Sequence, residues 1–482
     1  MQFKISPLLH FLKKDIFLLT CLMVIYTAIF GMLAIVRHYR FESQGWDLGF
    51  YEQTIWKYAN GEIARSSFSG KLDLADRFRP AMLLFVIPYA LVPTTETLLF
   101  LQALVIALAC FPLFYLAKKI TRHRNFSLIV CLAYLFFIGT QSLLLNDFHE
   151  VCLLPLALIG LLYFLETNKF RAASVMLILT LMVREYVGFL VVAIGVSALL
   201  THKPRLFALL MIAICAIWSL VVIQVIMPAL GQNMFSGFLG GQASFATELI
   251  QLITHPLYTF SLLLTPATKL KTVFVSFAAF GFLPVLYPPL LVPIAMQLAL
   301  RFLDLTHPYR WTLYFQYSAD LAGLMAIGAI YGSRQLLLFI KQIRIISYTT
   351  ITCLLFAITI FEQLFLSVPL KLLIQPNYFV TEAYMENNQA LLALIPQDAS
   401  VATQNSLAAH LSRRDNLYLL PEIKNADYVM FDLHPTQSAY NFLGRTPEAM
   451  QELMRQLLAD KGYLLLSQKG DSFLLMKRNF QL

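Results

Sequence analysis

RHYRFESQGWDLGFYEQTIWKYANGEIARSSFSGKLDLADRFRP, residues 37–80, is a long polar stretch between apolar runs, and its reading decides how the rest of the chain is laid out. It carries Glu42, Asp47, Glu52, Glu62, Asp73 and Asp76. Where the flanking sequence is built for lipid, so many acids must sit in water or line a wet cavity. Within it, Gly45-Trp46-Asp47-Leu48-Gly49 makes Asp47 the leading catalytic candidate. The plainer reading of Asp47 is the cap of a short surface helix beginning at Leu48.

Working outward, the class of the chain follows from composition. With 482 residues, 59% of them hydrophobic and 13% charged, and a mean hydropathy of +0.68, it is a polytopic membrane protein and not a soluble globular one. A net charge of +9 would suggest nucleic acid in a soluble protein, but here the basic residues fall in short clusters between apolar runs, where they set orientation. Nucleic acid is therefore not an expected partner. Cys21, Cys110, Cys131, Cys152, Cys215 and Cys353 all lie in apolar runs, which implies neither a disulfide framework nor a cysteine metal cage. The first apolar run, 16–36, follows Lys13-Lys14 and has no clear small-residue cleavage site, so it reads as a retained anchor.

The basic clusters then fix a topology. With Lys13 and Lys14 inside, the loop 37–80 emerges outside, and the run 81–92, interrupted by Pro88, is a re-entrant or interfacial piece. Span 98–117 ends inside at the cluster 118–124, and 126–145 returns outside at Asp147-Phe148-His149-Glu150. The next spans turn inside at Lys169 and Arg171, outside at Arg184-Glu185 and inside at Lys203-Pro204-Arg205. Span 206–227 opens into a Gly-rich loop, 228–244, followed by an amphipathic stretch, 245–253, and two Pro-broken spans up to Asp304. A polar segment, 304–320, lies outside, span ten ends inside near Arg334, Lys341 and Arg344, and span 345–366 delivers the tail outside. The expectation is an α-helical membrane domain of about eleven spans, 1–368, with a small extracytoplasmic α/β domain, 369–482. In that tail, strands are expected at 400–404, 417–420, 428–433 and 463–467, with helices at 382–394, 406–412 and 447–458. It has no Gly-rich phosphate fingerprint. Asp427 and Asp432 read as solvated strand-end turns, and no catalytic residue is expected there.

Four polar groups fall on the outer side: Trp46-Asp47, Asp147-Phe148-His149-Glu150, Arg184-Glu185, and His307-Pro308-Tyr309-Arg310 with Tyr317. Charges near lipid are costly unless paired or wet, so one shared outward pocket is the simplest reading of four placements on one side. The plainer readings are an Arg184–Glu185 ion pair that joins helices and a solvated cap at 147–150. A divalent metal at His149 and Glu150 would need ligands from elsewhere, so the metal question stays open.

Trp46-Asp47-Leu48-Gly49-Phe50-Tyr51-Glu52-Gln53, Asp76-Arg77-Phe78-Arg79-Pro80, Leu101-Gln102-Ala103-Leu104, Asp147-Phe148-His149-Glu150 and Arg184-Glu185 resemble a bacterial membrane-protein family, domain of unknown function 2079. In the tail, Val401-Ala402-Thr403-Gln404-Asn405, His410-Leu411-Ser412 and Asp427-Tyr428-Val429 look like that family's external domain. The chain departs from the family pattern at Arg77, where a histidine is usual, and at Tyr186, where a second acid usually follows the glutamate. The family in turn resembles the type C (GT-C) glycosyltransferases, polytopic enzymes that draw a sugar from a polyprenyl-phosphate donor and use an acid in the first external loop. The resemblance implies a GT-C-like fold in the bacterial cytoplasmic membrane, an inverting sugar transfer on its outer face, and membrane lipid and a polyprenyl-phosphate sugar as partners.

Such chemistry suits the residues. A carboxylate is needed to take the acceptor proton, which falls to Asp47. The departing phosphate needs cations, for which Arg184 and Arg310 are the candidates, with His149 as a hydrogen-bond or proton donor. Asp147, Glu150, Glu185 and Tyr317 complete the expected substrate site, and the broken segments at Pro88 and Pro266 would shape the lipid entrance. Two other classes compete: a transporter or lipid flippase, which would place ionisable groups near mid-bilayer, and a noncatalytic assembly or sensor protein that binds a partner through its tail.

Overall fold

The computed structural model describes residues 7–201, 204–231, 245–340, 347–435, 437–460 and 462–478. Its first element, the 33-residue helix Pro7–Tyr39, is long enough at about 1.5 Å per residue to cross a bilayer, and places Arg37 and His38 in its last turn. The Arg37 guanidinium there complements the unpaired carbonyls of a helix end. Near the other end of this helix, Asp15 accepts from Lys118 Nζ and Arg124 Nε, both at 2.5 Å, so the basic cluster 118–124 is tied to the same face as the chain's start.

Five helical stretches among the described residues are long and apolar enough to span: Lys14–Tyr39, Thr95–Thr121, Arg205–Ala229, Pro308–Phe339 and Tyr348–Phe365. Two bent pairs, Arg124–Phe136 with Ile138–Leu144 (51°) and Pro256–Leu264 with Ala267–Ala279 (71°), raise this to seven. Beside these stand shorter apolar helices, Pro80–Leu91, Phe170–Val183, Val187–Leu200 and Pro288–Phe302, because polar motifs cut several apolar runs short. Phe170–Val183 and Val187–Leu200 are 14 residues each, about 21 Å of helix, and they meet at the extended backbone of Arg184. Pro88 does not break its helix, Leu83–Leu91, since at that position it removes a single internal hydrogen bond. Pro266, by contrast, sits at the 71° bend. The amphipathic stretch is the helix Phe245–Thr254. Lys203, Lys341, Arg344 and most of the Gly-rich loop 228–244 lie outside the described residues.

The tail forms one five-stranded mixed sheet of β1 (Val401–Thr403), β2 (Leu417–Leu419), β3 (Tyr428–Asp432), β4 (Tyr463–Lys469) and β5 (Ser472–Lys477), in the order β2-β1-β3-β5-β4. β1 runs parallel to β2 and β3, whereas β5 is antiparallel to β3 and β4. Four strands match the expectation and β5 was missed, although Gly470, at φ +53°, marks the tight turn that folds it back on β4. The expected helices appear as Ala383–Leu392, Asn405–Ala408 and Pro447–Ala459.

One face of this sheet buries Leu407, Leu411 and Leu417 together with Phe41 from the first loop, so loop and tail share a core. Polar bonds reinforce the contact. Gln53 Nε2 donates to Arg414 C=O (2.8 Å), Ser67 Oγ to Leu417 C=O (2.8 Å) and Tyr384 OH to Arg40 C=O (2.9 Å). Glu52 is buried and accepts from Tyr89 OH (2.9 Å), Thr95 Oγ1 (2.7 Å) and Ser412 Oγ (2.5 Å), which joins the loop to two membrane-side helices and the tail. Burial raises its carboxyl above the usual range despite those donors.

Candidate functional site

Asp47 sits inside a widened turn, Gly45–Gly49, in which Gly49 N–H reaches back five residues to Gln44 C=O (3.2 Å). It is not the cap of the following helix, Phe50–Ala59, because the turn continues into that helix with helical backbone at Gly49. The glycines have a steric reason. A side-chain carbon at Gly45 would come within 2.7 Å of Ala408 Cβ and 3.1 Å of Asn405 C=O, so the tail presses directly on the turn. Asn405 also accepts from Trp46 N–H (3.0 Å) and donates to Gln44 Oε1. Asp47 keeps a side chain 36% exposed, with His149 Nε2 3.3 Å from its Oδ1.

The motif at 147–150 is clamped from the helix Thr95–Leu108. Gln102 accepts from His149 N–H (2.7 Å) and donates to Asp147 C=O (2.8 Å). Asp147 adopts left-handed backbone, φ +61°, tolerable for an aspartate and held by those bonds. Its carboxylate takes Arg37 Nη1 at 2.5 Å and Gln44 N–H at 2.9 Å, so one buried acid joins the first helix to the start of the Asp47 turn. The plainer alternative, a solvated cap at 147–150, is not what forms, since Asp147, His149 and Glu150 are buried.

Beneath His149 lies a second layer. The Tyr51 ring meets His149 edge-on at 5.1 Å, and Arg184 bridges Tyr51 OH (2.7 Å) and Glu150 Oε1 (2.5 Å). Burial by itself would raise Glu150, but the neighbouring Arg184 and Arg79 guanidiniums outweigh it and hold the carboxyl down at about 2. Arg79 in turn lies over the Tyr51 ring at 4.4 Å and pairs with Asp73.

The Arg184–Glu185 ion pair, the plainer of the two readings of these neighbours, does not form. Arg184 has extended backbone (φ −157°, ψ 153°), which sends adjacent side chains to opposite sides. Glu185 turns away to accept Phe78 N–H (3.1 Å) and stand 3.9 Å from Arg77. Arg310 pairs with Asp304 and lies 4.9 Å above the Tyr317 ring. Both cations expected to meet phosphate are thus engaged with carboxylates.

A cavity of about 800 Å³ opens beside Asp47. Of the expected residues, Asp47 and Tyr317 line it, His149 reaches it through Asp47, and Asp147 stands one bond behind through Arg37 and Gln44. A neighbouring cavity of about 660 Å³ shares Arg37, Arg40, Glu42, Asn146 and Glu382 with the first, and is flanked by Val368, Leu372 and Lys371. Sequence reasoning missed the two arginines, although they open the loop that was singled out. It also missed the tail's share of the wall, including Tyr384, Asn405, His434 and Tyr440. Asp432, expected in a solvated turn, is buried and accepts from His434 Nδ1 (2.7 Å) and Asn388 Nδ2 (2.6 Å). Among the described residues, no three His, Cys, Asp or Glu side chains gather as a metal site.

The model of a family described as "Predicted membrane protein (DUF2079)" matches residues 37–472. The chain belongs to this family. Its match begins at Arg37 and takes in the Asp47 turn, the 147–150 motif, Arg184 and the sheet up to the first residue of β5. No curated protein matches the chain. Among solved structures the fold is similar to ArnT from Cupriavidus metallidurans bound to undecaprenyl phosphate, at a TM-score of 0.53 and 11% identity, with 95% of this chain and 97% of that one covered. The apo state of the same protein gives a TM-score of 0.55 at 10% identity over the same shares. This member of the DUF2079 family is therefore a polytopic helical membrane protein with a GT-C-like fold and a small C-terminal sheet.

Proposed function

We propose that this protein is an inverting glycosyltransferase that moves a sugar from a polyprenyl-phosphate donor to an acceptor hydroxyl at the outer face of the bacterial cytoplasmic membrane. The observation that carries the reading is the joined pair of cavities, one lined by the Asp47 carboxylate and the other flanked by apolar residues with a cationic rim. In this reading the lipid lies along Val368 and Leu372, and its phosphate rests against Lys371, which has no carboxylate partner among the described residues and takes the role expected of Arg184 and Arg310. Its sugar crosses the shared lining toward Asp47. The similar fold of a protein solved with undecaprenyl phosphate supports the donor class.

The acceptor hydroxyl attacks the anomeric carbon opposite the phosphate, and its proton passes to Asp47. The bond from that carbon to the phosphate oxygen breaks, and the lipid phosphate leaves with the electron pair. A single displacement inverts the carbon. His149 orients the base, Asp147 fixes the turn that carries it, and Arg184 with Glu150 holds Tyr51 beneath His149. Arg310 steadies Tyr317, and Glu185 anchors the first loop through Phe78. Residues 369–482 act as a soluble outer unit that closes the cavity.

The test is consumption of donor. Purified protein in lipid nanodiscs, given radiolabelled polyprenyl-phosphate hexoses and pentoses, should release polyprenyl phosphate from at least one. Release from none of them, in the presence of a lysate fraction rich in envelope glycans, would overturn the reading.

A further inference from the structure

The reaction above leaves unused the wall that the tail contributes to the larger cavity. There His434 is held as if for a ligand. Its Nδ1 lies 2.7 Å from the buried Asp432 carboxylate and its ring stacks on Tyr384 at 3.8 Å and 15°, which leaves Nε2 as the nitrogen open to a partner. Beside it, Asn441 is only 6% exposed. Its Nδ2 donates to Gln437 Oε1 (3.3 Å), while its Oδ1 has no hydrogen-bond partner among the described residues. A buried amide oxygen left unpaired is costly, so a donor from a ligand would be well received there. Tyr440, 60% exposed, adds a flat aromatic face to the same wall.

We propose that this wall is the acceptor subsite and that the acceptor is a saccharide. The proposal rests on the glycosyl-transfer reading of the same cavity. Charge argues for a neutral ligand, since Arg37 is paired with Asp147, Arg40 with Glu42 and Glu382, and His434 with Asp432. A phosphorylated or carboxylated acceptor would have to displace one of those acids. The lining across the cavity is also rich in neutral amides, with Gln44, Asn146 and Gln316. Amides both donate and accept, matching sugar hydroxyls, and phenol rings cover the apolar C–H face of a pyranose. At about 800 Å³ the cavity stands in the upper part of the range for small-molecule sites, with room for the donor sugar and more beside it.

The experiment uses the full chain in nanodiscs and four probes: cellobiose, mannobiose, chitobiose and N-acetyllactosamine. Binding is read by saturation-transfer NMR, and release of polyprenyl phosphate from labelled donor is read in parallel. At least one disaccharide should bind the parent, and Tyr440→Ala and Asn441→Ala should each weaken it tenfold or more. Tyr440 is exposed, so its variant keeps the test open if Asn441→Ala fails to fold. The proposal is overturned if no probe binds, or if binding survives both substitutions. Binding without donor consumption in any condition would retain the saccharide site and overturn the transfer reading, whereas consumption without binding does the reverse.

Discussion

His149 Nε2 stands 3.3 Å from Asp47 Oδ1 across 102 residues of sequence, and Gln102 and Asp147 hold the two halves of that contact in register. A carboxylate fixed by a neighbouring imidazole at the edge of a wet cavity is placed to accept a proton.

Asp47→Asn should therefore leave the protein folded and in the membrane while lowering transfer at least about a hundredfold, the low end for loss of a general base. His149→Gln should cost less, because it disturbs the orientation of the base and keeps its carboxylate. Initial rates with saturating donor, beside melting curves for each variant, check both. An Asp47→Asn protein that turns over donor at the parent rate would end the role assigned to this loop.

Arg184 is tied to Glu150, so Arg184→Ala should strand a buried acid and destabilise the protein by about 3–5 kcal/mol. A double-mutant cycle separates the neighbours in sequence. Arg184 with Glu150 should show strong coupling, and Arg184 with Glu185 almost none, because Glu185 bonds Phe78 N–H instead. Equal coupling in the two cycles would contradict the geometry. The Glu150 carboxyl, held at about 2, adds a pH signature. Its contribution is present above the unfolded value near 4.5 and is lost as pH falls toward 2, a loss that Glu150→Gln should remove.

How much of this was legible from sequence depends on distance along the chain. The membrane class, the tail's α/β character and the weight placed on Asp47 came from composition, periodicity and an out-of-place polar loop, all of them local signals. Arg184-Glu185 misled for the same reason, since adjacency suggested a pair that an extended backbone forbids. The cavity wall was invisible because Asn405 meets Trp46 across 359 residues, and no spacing rule connects them. Asp432 looked like a solvated turn because its partners, Asn388 and His434, belong to elements whose packing a strand-end motif does not encode.

The junction between the first helix and the tail should respond to pH. His38 and His410 stack at 3.9 Å, and His410 Nε2 is buried without a partner among the described residues. Burial, reinforced by the His38 ring, pushes the His410 imidazole well below its ordinary value of 6.5, against the opposing effects of a hydrogen bond to the His38 backbone and of Glu96. The unfolded chain takes up a proton near 6.5 that the folded chain refuses. Stability is therefore full above about 6.5 and declines as pH falls from there. Melting temperatures should drop between pH 6.5 and 5, and His410→Phe, which keeps the ring against Phe41, should lessen the drop, the stacked His38 keeping the rest. Parallel slopes for parent and variant would remove His410 as the cause.

The orientation we propose rests on the ion pairs at the other end of the first helix. Asp15 holds Lys118 and Arg124, so the strongest basic cluster lies with the chain's start, and basic clusters stay on the cytoplasmic side. In that proposal the Asp47 loop, at the far end of the helix Pro7–Tyr39, and the sheet packed on it face outward. Ser43 is a poor labelling site because it is buried, whereas Ile63 in the same loop is 81% exposed and Arg455 in the tail is exposed on the helix Pro447–Ala459. Cysteines placed at Ile63 and Arg455 should react with a membrane-impermeant maleimide in intact cells. One at Lys119, exposed beside the basic cluster, should react only after the membrane is opened. The six native cysteines set the background, measured on the parent protein. The reverse pattern, with Lys119 labelled in intact cells and the other two protected, would turn the molecule over and move the Asp47 cavity to the cytoplasmic face, where a sugar acceptor of the cell envelope could not reach it.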